Sequence, residues 1–191
     1  PLQRPPRPDL PRLWLISDAR IDSQLERALD RLPRGSGFIF RHYHLPGPER
    51  RRRFAQLKRR AKRRGHVVVL SGPAAQAKRW GASGSYGAPK RLVRGPAMLR
   101  LVTVHGPAEL AAAHRGRADA VLISPVFATG SHPSAPALGP LRFRLLAQRS
   151  RVPVIALGGM DARRARRIGA ERWAAVTSLA QPLTPPFPIH S

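Results

Sequence analysis

Short apolar runs recur along the chain and alternate with polar stretches of helical character. Runs such as LWLI, GFIF and VPVIAL are continuous rather than alternating, which is typical of parallel strands that are covered on both faces. On this basis we predict strands at 13–16, 37–40, 66–70, 82–86, 98–104, 119–123, 152–157 and 173–177.

Helices are predicted between these strands. Asp22 and Asp161 stand at expected N-caps, Gly169 stands at an expected helix end, and 87–97 has room for only a turn of helix. The helix ranges are 22–32, 48–64, 73–80, 107–115, 138–149 and 161–168. The alternation predicts an α/β fold. Eight strands favour a compact (β/α)8 TIM barrel whose last helix is short or missing, with a doubly wound open sheet as the alternative.

Proline-rich segments border the predicted barrel. Residues 1–11, PLQRPPRPDLP, are predicted to form an N-terminal tail, and residues 181–191 a C-terminal tail, because proline disrupts regular structure. The barrel then occupies 12–180 as a single domain. The sequence begins with Pro1 rather than Met, so we expect a trimmed or incomplete start.

Charge raises the question of a nucleic-acid partner, since 35 basic and 10 acidic residues give a net charge of +25. The densest run, 51–64, places Phe54, Leu57 and Ala61 on one helical face, which indicates a packed helix with a solvated basic face. No nucleic-acid recognition motif accompanies the charge, so we do not expect nucleic acid as the main partner. The sequence leaves open whether the protein forms a homo-oligomer.

Composition excludes several other classes. The chain has no cysteine, and therefore no disulfide, thiol nucleophile or thiolate metal site. No apolar run approaches the roughly 20 residues that span a membrane, and no signal-peptide pattern is present. We expect a cytoplasmic protein that does not bind membranes.

The ends of the last two predicted strands carry residues suited to an anion. Barrel enzymes act at the C-terminal ends of their strands and commonly bind phosphate after strands seven and eight. Gly158 and Gly159 allow backbone N–H groups to approach an anion, and Thr177 and Ser178 follow the next strand. We therefore predict a phosphate site and a small-molecule phosphate as ligand.

Other strand ends add polar groups. Thr129, Ser131 and His132 follow strand 6, His105 follows strand 5, and Arg41 follows strand 2. Histidines 42, 44, 105 and 132 raise the alternative of a metal site, but no carboxylate accompanies them and we predict none. Only one acidic residue, Asp18, follows a strand end, which disfavours both magnesium binding and paired-carboxylate chemistry.

Five segments, in the same order, resemble the thiamine phosphate synthase and thiazole tautomerase family. They are LWLISD, TVHGPAEL, ADAVLISPVFATGSHP, VPVIALGGMDA and GAERWAAVTSLA, and the likeness covers about 12–180. We identify the chain as a divergent member. The resemblance implies a barrel and a transferase that joins a pyrimidine pyrophosphate to a thiazole phosphate with magnesium, in thiamine biosynthesis.

The same resemblance implies roles for individual residues. Thr129 and Ser131 match two threonines of the loop after strand 6, and Arg41 matches an arginine after strand 2. The thiazole phosphate would bind to Gly158, Gly159, Thr177 and Ser178.

Several family positions carry other residues here. Ile39 and Tyr43 replace a glutamine and a lysine, and His132 replaces the loop lysine that contacts pyrophosphate. Leu70-Ser71 and the Pro89-Lys90 region replace acidic segments that bind magnesium, so its carboxylate ligands are absent and the cofactor is unknown. Pro125 stands at the histidine of the tautomerase.

Three functions therefore remain open. The first is a synthase-like enzyme, with Arg41, His105 and His132 as candidate catalytic residues. The second is a tautomerase-like or otherwise diverged enzyme that uses His105 or His132 as a general base. The third is a non-catalytic protein that binds a phosphate ligand.

Overall fold

The structure, a computed structural model, describes residues 9–92, 95–129 and 136–180. Within them, eight parallel strands pair in chain order and β8 pairs with β1, which closes the barrel. The strands are β1 Leu13–Ile16, β2 Gly37–Phe40, β3 Val67–Ser71, β4 Gly84–Gly87, β5 Leu99–Val104, β6 Ala120–Ile123, β7 Val154–Leu157 and β8 Trp173–Ala175. The predicted (β/α)8 barrel is confirmed, and the open-sheet alternative is wrong.

Helices follow the strands around the outside of the barrel. They are α1 Leu25–Arg31, α2 Gly47–Arg63, α3 Ala74–Arg79, α4 Pro89–Leu92, α5 Pro107–Arg115, α6 Gly139–Gln148, α7 Ala162–Ile168 and α8 Thr177–Ala180. As predicted, α4 is a single turn. No described helix is long and apolar enough to cross a membrane.

The first predicted helix begins differently from expectation. A 3-10 helix, Ala19–Gln24, precedes α1, and its cap is Asp18, whose side chain accepts a hydrogen bond from the Arg20 N–H. Asp22 therefore lies inside this helix, and the prediction that it is the N-cap is wrong. The helical segment begins four residues earlier, where the Asp18 carboxylate accepts a hydrogen bond from one of the backbone N–H groups that a helix start leaves unpaired. Asp161 and the left-handed Gly169 do cap α7 as predicted.

The interior of the barrel is filled by apolar side chains that point inward from successive strands. The fully buried ones include Trp14, Ile16, Ile39, Val69, Leu101, Leu122 and Ile155. Trp14 needs a glycine at position 37, because a Cβ there would collide with the indole ring. The indole N–H donates to the Pro11 carbonyl at 2.8 Å, which fixes the ring at the start of β1.

The end of the predicted N-terminal tail belongs to the core. Residues 1–8 lie outside the described residues, but Leu10 and Pro11 are buried, and Leu10 packs in the interior cluster. The prediction of a tail over 1–11 is therefore wrong for these two residues. Contact with the apolar barrel end outweighs the effect of the prolines on regular structure.

Helix α2 packs as its pattern predicts. Phe54, Leu57 and Ala61 are buried against the barrel, and each large side chain buried in this way contributes about 1.5–3 kcal/mol. Beside this buried face of α2, Arg53 binds Glu26 and Arg60 binds Asp30, which ties α2 to α1.

Candidate active-site cavity

A cavity of about 650 Å³ opens at the C-terminal ends of the strands. Seven of the nine predicted site residues line it: Arg41, His105, Thr129, Gly158, Gly159, Thr177 and Ser178. The other two, Ser131 and His132, lie outside the described residues. Residues that are far apart in sequence therefore meet in one cavity, as the barrel topology predicts.

The Gly158-Gly159 turn shapes one side of the cavity. Both residues have positive φ, 97° and 59°, a conformation that side chains disfavour. A Cβ at Gly158 would lie 2.6 Å from the Pro125 Cα, and one at Gly159 would lie 2.5 Å from the Ala128 carbonyl oxygen. Glycine is therefore needed at both positions to hold the turn against the loop that follows β6.

That loop is bound to the end of β7 through its backbone. The Val126 N–H donates to the Leu157 carbonyl at 2.8 Å, and the Phe127 N–H donates to the Gly158 carbonyl at 3.1 Å. Two further bonds, from Leu138 to Pro125 and from Gly139 to Val126, bring the far end of the loop back to its beginning. The described residues between β6 and α6, 124–129 and 136–138, thus belong to the barrel face, and strand–helix units lie on both sides of them.

Ser178 makes a hydrogen bond within the protein that restricts its role in binding an anion. Its hydroxyl donates to the Met160 carbonyl at 2.8 Å, which ties the segment after β8 to the segment after β7. The hydroxyl proton is therefore already used. A bound anion would receive hydrogen bonds from the Thr177 hydroxyl and from backbone N–H groups.

Arg164 and Arg20 line the cavity although neither was predicted. Arg164 donates from Nη1 to the Gly159 carbonyl, and its guanidinium lies over the Phe127 ring at 5.0 Å. A sequence signal for Arg164 exists, because a cation in the first turn of a helix is disfavoured by the helix dipole. Arg20 donates from Nε to Asp18 at 2.7 Å, and this bond holds the pKa of that carboxyl below its usual range.

Tyr86 is a further lining residue that the sequence did not reveal. Its side chain is buried at the end of β4, and its phenol interacts with Thr103 of β5. Burial raises the pKa of the Tyr86 phenol above its ordinary value. The phenol therefore stays protonated at physiological pH and presents a neutral hydroxyl at the cavity wall.

His42 is structural and does not line the cavity. It is buried, with Nε2 2.6 Å from Asp22 Oδ1 and Nδ1 2.8 Å from Ser17 Oγ. Ser17 Oγ accepts the Arg41 N–H at 2.8 Å, so its hydroxyl proton goes to Nδ1 and Nε2–H goes to Asp22. Burial lowers the pKa of His42, with Asp22 acting in the opposite direction. The neutral imidazole thus fixes the backbone that presents Arg41.

His105 keeps one ring nitrogen for chemistry. Glu109 Oε2 lies 2.9 Å from His105 Nδ1 and also accepts the His105 backbone N–H at 2.7 Å. When Nδ1 carries the proton that Glu109 accepts, Nε2 is a base at the rim of the cavity. His105 is thus oriented as a general base would need to be.

A guanidinium stands at the end of β3, next to the position where the family resemblance implies a magnesium ligand. Arg50 donates to the carbonyls of Arg41 at 2.9 Å and Ser71 at 2.7 Å. The Tyr43 hydroxyl is hydrogen-bonded to Ser71 Oγ, and the Arg50 guanidinium lies 5.3 Å from the centre of the Tyr43 ring. Burial lowers the pKa of Arg50, but the group remains cationic.

The donor set therefore does not fit magnesium, which prefers carboxylate and water oxygens. Around the cavity, Asp18 is paired with Arg20, Asp161 caps α7, and Glu109 is bound to His105. Across the described ranges, no three His, Cys, Asp or Glu side chains form a group that could hold a metal.

Comparison with known proteins supports the resemblance. A family model described as TMP-TENI, thiamine monophosphate synthase, matches residues 13–179. The thiamine-phosphate synthase of Koribacter versatilis (strain Ellin345) is 32% identical over 93 residues, which are 47% of this chain and 44% of that protein. The chain thus aligns with less than half the length of this relative.

Solved structures show the fold. A thiamine phosphate pyrophosphorylase from Pyrococcus furiosus has a TM-score of 0.76 at 19% identity, covering 89% of this chain and 88% of that chain. The 2-keto-3-deoxy-6-phosphogluconate aldolase of Zymomonas mobilis has a TM-score of 0.61 at 16% identity, covering 91% and 84%. The barrel is shared by different enzymes and does not define a reaction. The family model, which spans most of the chain, does define the family: the chain belongs to the thiamine monophosphate synthase family.

Proposed function

We propose that the protein binds thiazole phosphate in the cavity and acts in thiamine biosynthesis as a thiamine phosphate synthase-like protein. The observation that carries the proposal is the turn of Gly158 and Gly159, which lines the same cavity as Thr177 at the end of the neighbouring strand. Main-chain N–H groups and a hydroxyl supply neutral donors to a phosphate, and Arg164 adds positive charge beside them.

Coupling to a pyrimidine pyrophosphate is the transferase activity that we propose for the same cavity. Arg41 and Arg20 line it, and guanidinium groups stabilise the charge of a departing pyrophosphate. The chain's own contribution is to bind and orient two substrates and to stabilise that leaving group. Magnesium would normally supply part of this stabilisation in the family, but the carboxylates here do not fit it.

A second candidate is a proton-transfer enzyme of the tautomerase type. It rests on His105, whose Nδ1 is held by Glu109 so that Nε2 can accept a proton. Replacing His105 with Gln would abolish a tautomerase turnover but leave thiazole phosphate binding within about twofold.

Isothermal titration with thiazole phosphate tests the proposed function. We expect saturable binding, and we expect thiamine phosphate to form when pyrimidine pyrophosphate is added. Binding without product would favour the non-catalytic alternative, and no binding by the folded protein would contradict the proposal. Soluble protein that fails to complement a bacterium lacking the synthase would contradict the transferase activity alone.

A further inference from the structure

We propose that Arg164 is the residue that selects a phosphate monoester over the corresponding alcohol in this cavity. The inference rests on the proposed function, because it concerns the same site, but it assigns the charge recognition to a side chain outside the predicted set. Arg164 lines the cavity together with Gly158 and Gly159.

The guanidinium is held from two elements. Its Nη1 donates to the Gly159 carbonyl after β7, and its Cζ lies 5.0 Å from the centre of the Phe127 ring in the loop after β6. The side chain also starts from a fixed backbone, since the Arg164 N–H donates to Asp161 at 2.7 Å. A cation held in this way loses less conformational entropy when an anion binds.

Space for this guanidinium depends on the glycine turn. A Cβ at Gly159 would lie 3.2 Å from Arg164 Nη1, besides colliding with the Ala128 carbonyl oxygen. The Gly159 carbonyl of this turn also accepts a hydrogen bond from Arg164 Nη1, so the turn that predicts a phosphate site holds the cation beside it.

Charge sets the specificity. Gly158, Gly159 and Thr177 offer neutral donors, which a hydroxyl group can also satisfy. Arg164 offers a cation, and it pairs with Asp161 at a distance of 3.8 Å between Arg164 Nε and Asp161 Oδ2. Asp161 Oδ1 accepts the Arg164 backbone N–H in capping α7. The ion pair between the two side chains is therefore long, and its carboxylate is also engaged by the helix cap. Phosphate, as a dianion, gains a charge-assisted hydrogen bond that the alcohol does not.

The test combines protein variants with two ligands. Titrations with thiazole phosphate and with the dephosphorylated thiazole alcohol are compared for the wild-type protein, Arg164→Gln and Arg164→Lys. The control Arg163→Gln removes an exposed neighbouring charge that does not line the cavity. We expect Arg164→Gln to weaken phosphate binding roughly 10- to 100-fold, the range for a charged hydrogen bond. Alcohol binding and Arg163→Gln should change less than twofold, and Arg164→Lys should recover part of the loss.

A purely structural role predicts a different result. Phe127→Leu removes the ring beneath the guanidinium but keeps the charge. If Arg164 only fastened the loop after β6, Phe127→Leu would match the loss of Arg164→Gln, and that outcome would overturn the inference. Equal phosphate affinity of Arg164→Gln and wild type would also overturn it while leaving the proposed function intact. If wild type binds neither thiazole phosphate nor inorganic phosphate, the proposed function itself fails. If the alcohol binds too weakly to titrate, inorganic phosphate as a competitor and the lysine variant decide the question.

Discussion

At the scale of single residues, Gly158 joins the candidate phosphate site to the loop after β6. Its φ is 97°, and an added Cβ would lie 2.6 Å from the Pro125 backbone. We expect Gly158→Ala to lower the free energy of unfolding by about 1–3 kcal/mol, the usual cost of a strained backbone, and to weaken thiazole phosphate binding. Urea unfolding and titration measure the two effects.

Gly106 provides the matched control for this variant. It also follows a strand at the cavity face, but its φ is −171° and a Cβ there would meet nothing within 4 Å. Gly106→Ala should leave both quantities close to wild type. Equal behaviour of the two variants would mean that glycine is not required at position 158.

Histidine burial makes stability depend on pH. Burial lowers the pKa values of His42, His66 and His114, so the unfolded chain binds more protons than the folded one once the pH falls below about 6.5. Stability is therefore complete above that pH and declines as the pH falls toward the lower folded-state values. Hydrogen bonds from Arg20 and Arg60 lower the pKa values of Asp18 and Asp30, which removes further stability below about pH 4.

Urea unfolding between pH 8 and pH 5 measures this histidine contribution. We expect the unfolding midpoint to fall over that interval, and His42→Gln to reduce the slope. A midpoint that rises as the pH falls would contradict the assignment of neutral buried histidines.

The two histidines also show where sequence reasoning ends at this scale. His42 and His105 both follow strands, so pattern alone placed both in the alternative of a metal site, and it made His105 a catalytic candidate as well. The positive φ of 40° at His42 turns its ring away from the cavity and into a buried network with Ser17 and Asp22. His42 lies 25 positions from Ser17 and 20 positions from Asp22 in the sequence, and no local pattern reveals contacts over such separations.

At the scale of elements, α2 separates the effect of burial from that of charge. Leu57 is fully buried, whereas Arg59 on the same helix is exposed. We expect Leu57→Ala to lower the free energy of unfolding by about 2–5 kcal/mol, because it leaves a cavity in the core. Chemical denaturation measures this loss.

Arg59→Ala is the control on the exposed face of α2. Its effect should stay within about 0.5 kcal/mol. A loss comparable with that of Leu57→Ala would mean that the basic face is packed against something and is not solvated.

Strand prediction succeeded where the barrel demands apolar residues on both faces. GFIF and LWLI were placed at their observed bounds, since buried parallel strands leave continuous apolar runs. The start of α1 was misplaced because both Asp18 and Asp22 are suitable caps, and only the tertiary fold selects between them. The cavity was predicted from topology, but Arg164 and Tyr86 were not. The unusual position of Arg164 in the first turn of a helix does not by itself name a ligand, and nothing in the sequence around Tyr86 does so either.

At the scale of the whole molecule, the charge of the cavity predicts its response to metal. Arg20, Arg41 and Arg164 line it, and the neighbouring carboxylates are engaged in pairs or caps. We expect magnesium not to strengthen the binding of inorganic pyrophosphate, because the metal neutralises the anion without gaining protein ligands. Calorimetric titrations in EDTA and in excess magnesium measure the difference.

Manganese gives an independent measurement of the same property. The resonance spectrum of free Mn²⁺ should be unchanged by the protein without an anion. Pyrophosphate affinity that rises tenfold or more with magnesium would contradict the prediction and would indicate ligands beyond the described carboxylates.

The pairing of Trp14 with Gly37 limits how this barrel can change over evolutionary time. The indole occupies the space that a side chain at position 37 would need, so neither position can drift alone. A larger residue at 37 becomes acceptable only after the tryptophan has been exchanged for a smaller one. That first exchange leaves a void inside the barrel, whereas the reverse order makes the new side chain collide with the indole. Among diverging descendants, the two sites should therefore covary, and lineages that keep the indole should keep glycine opposite it.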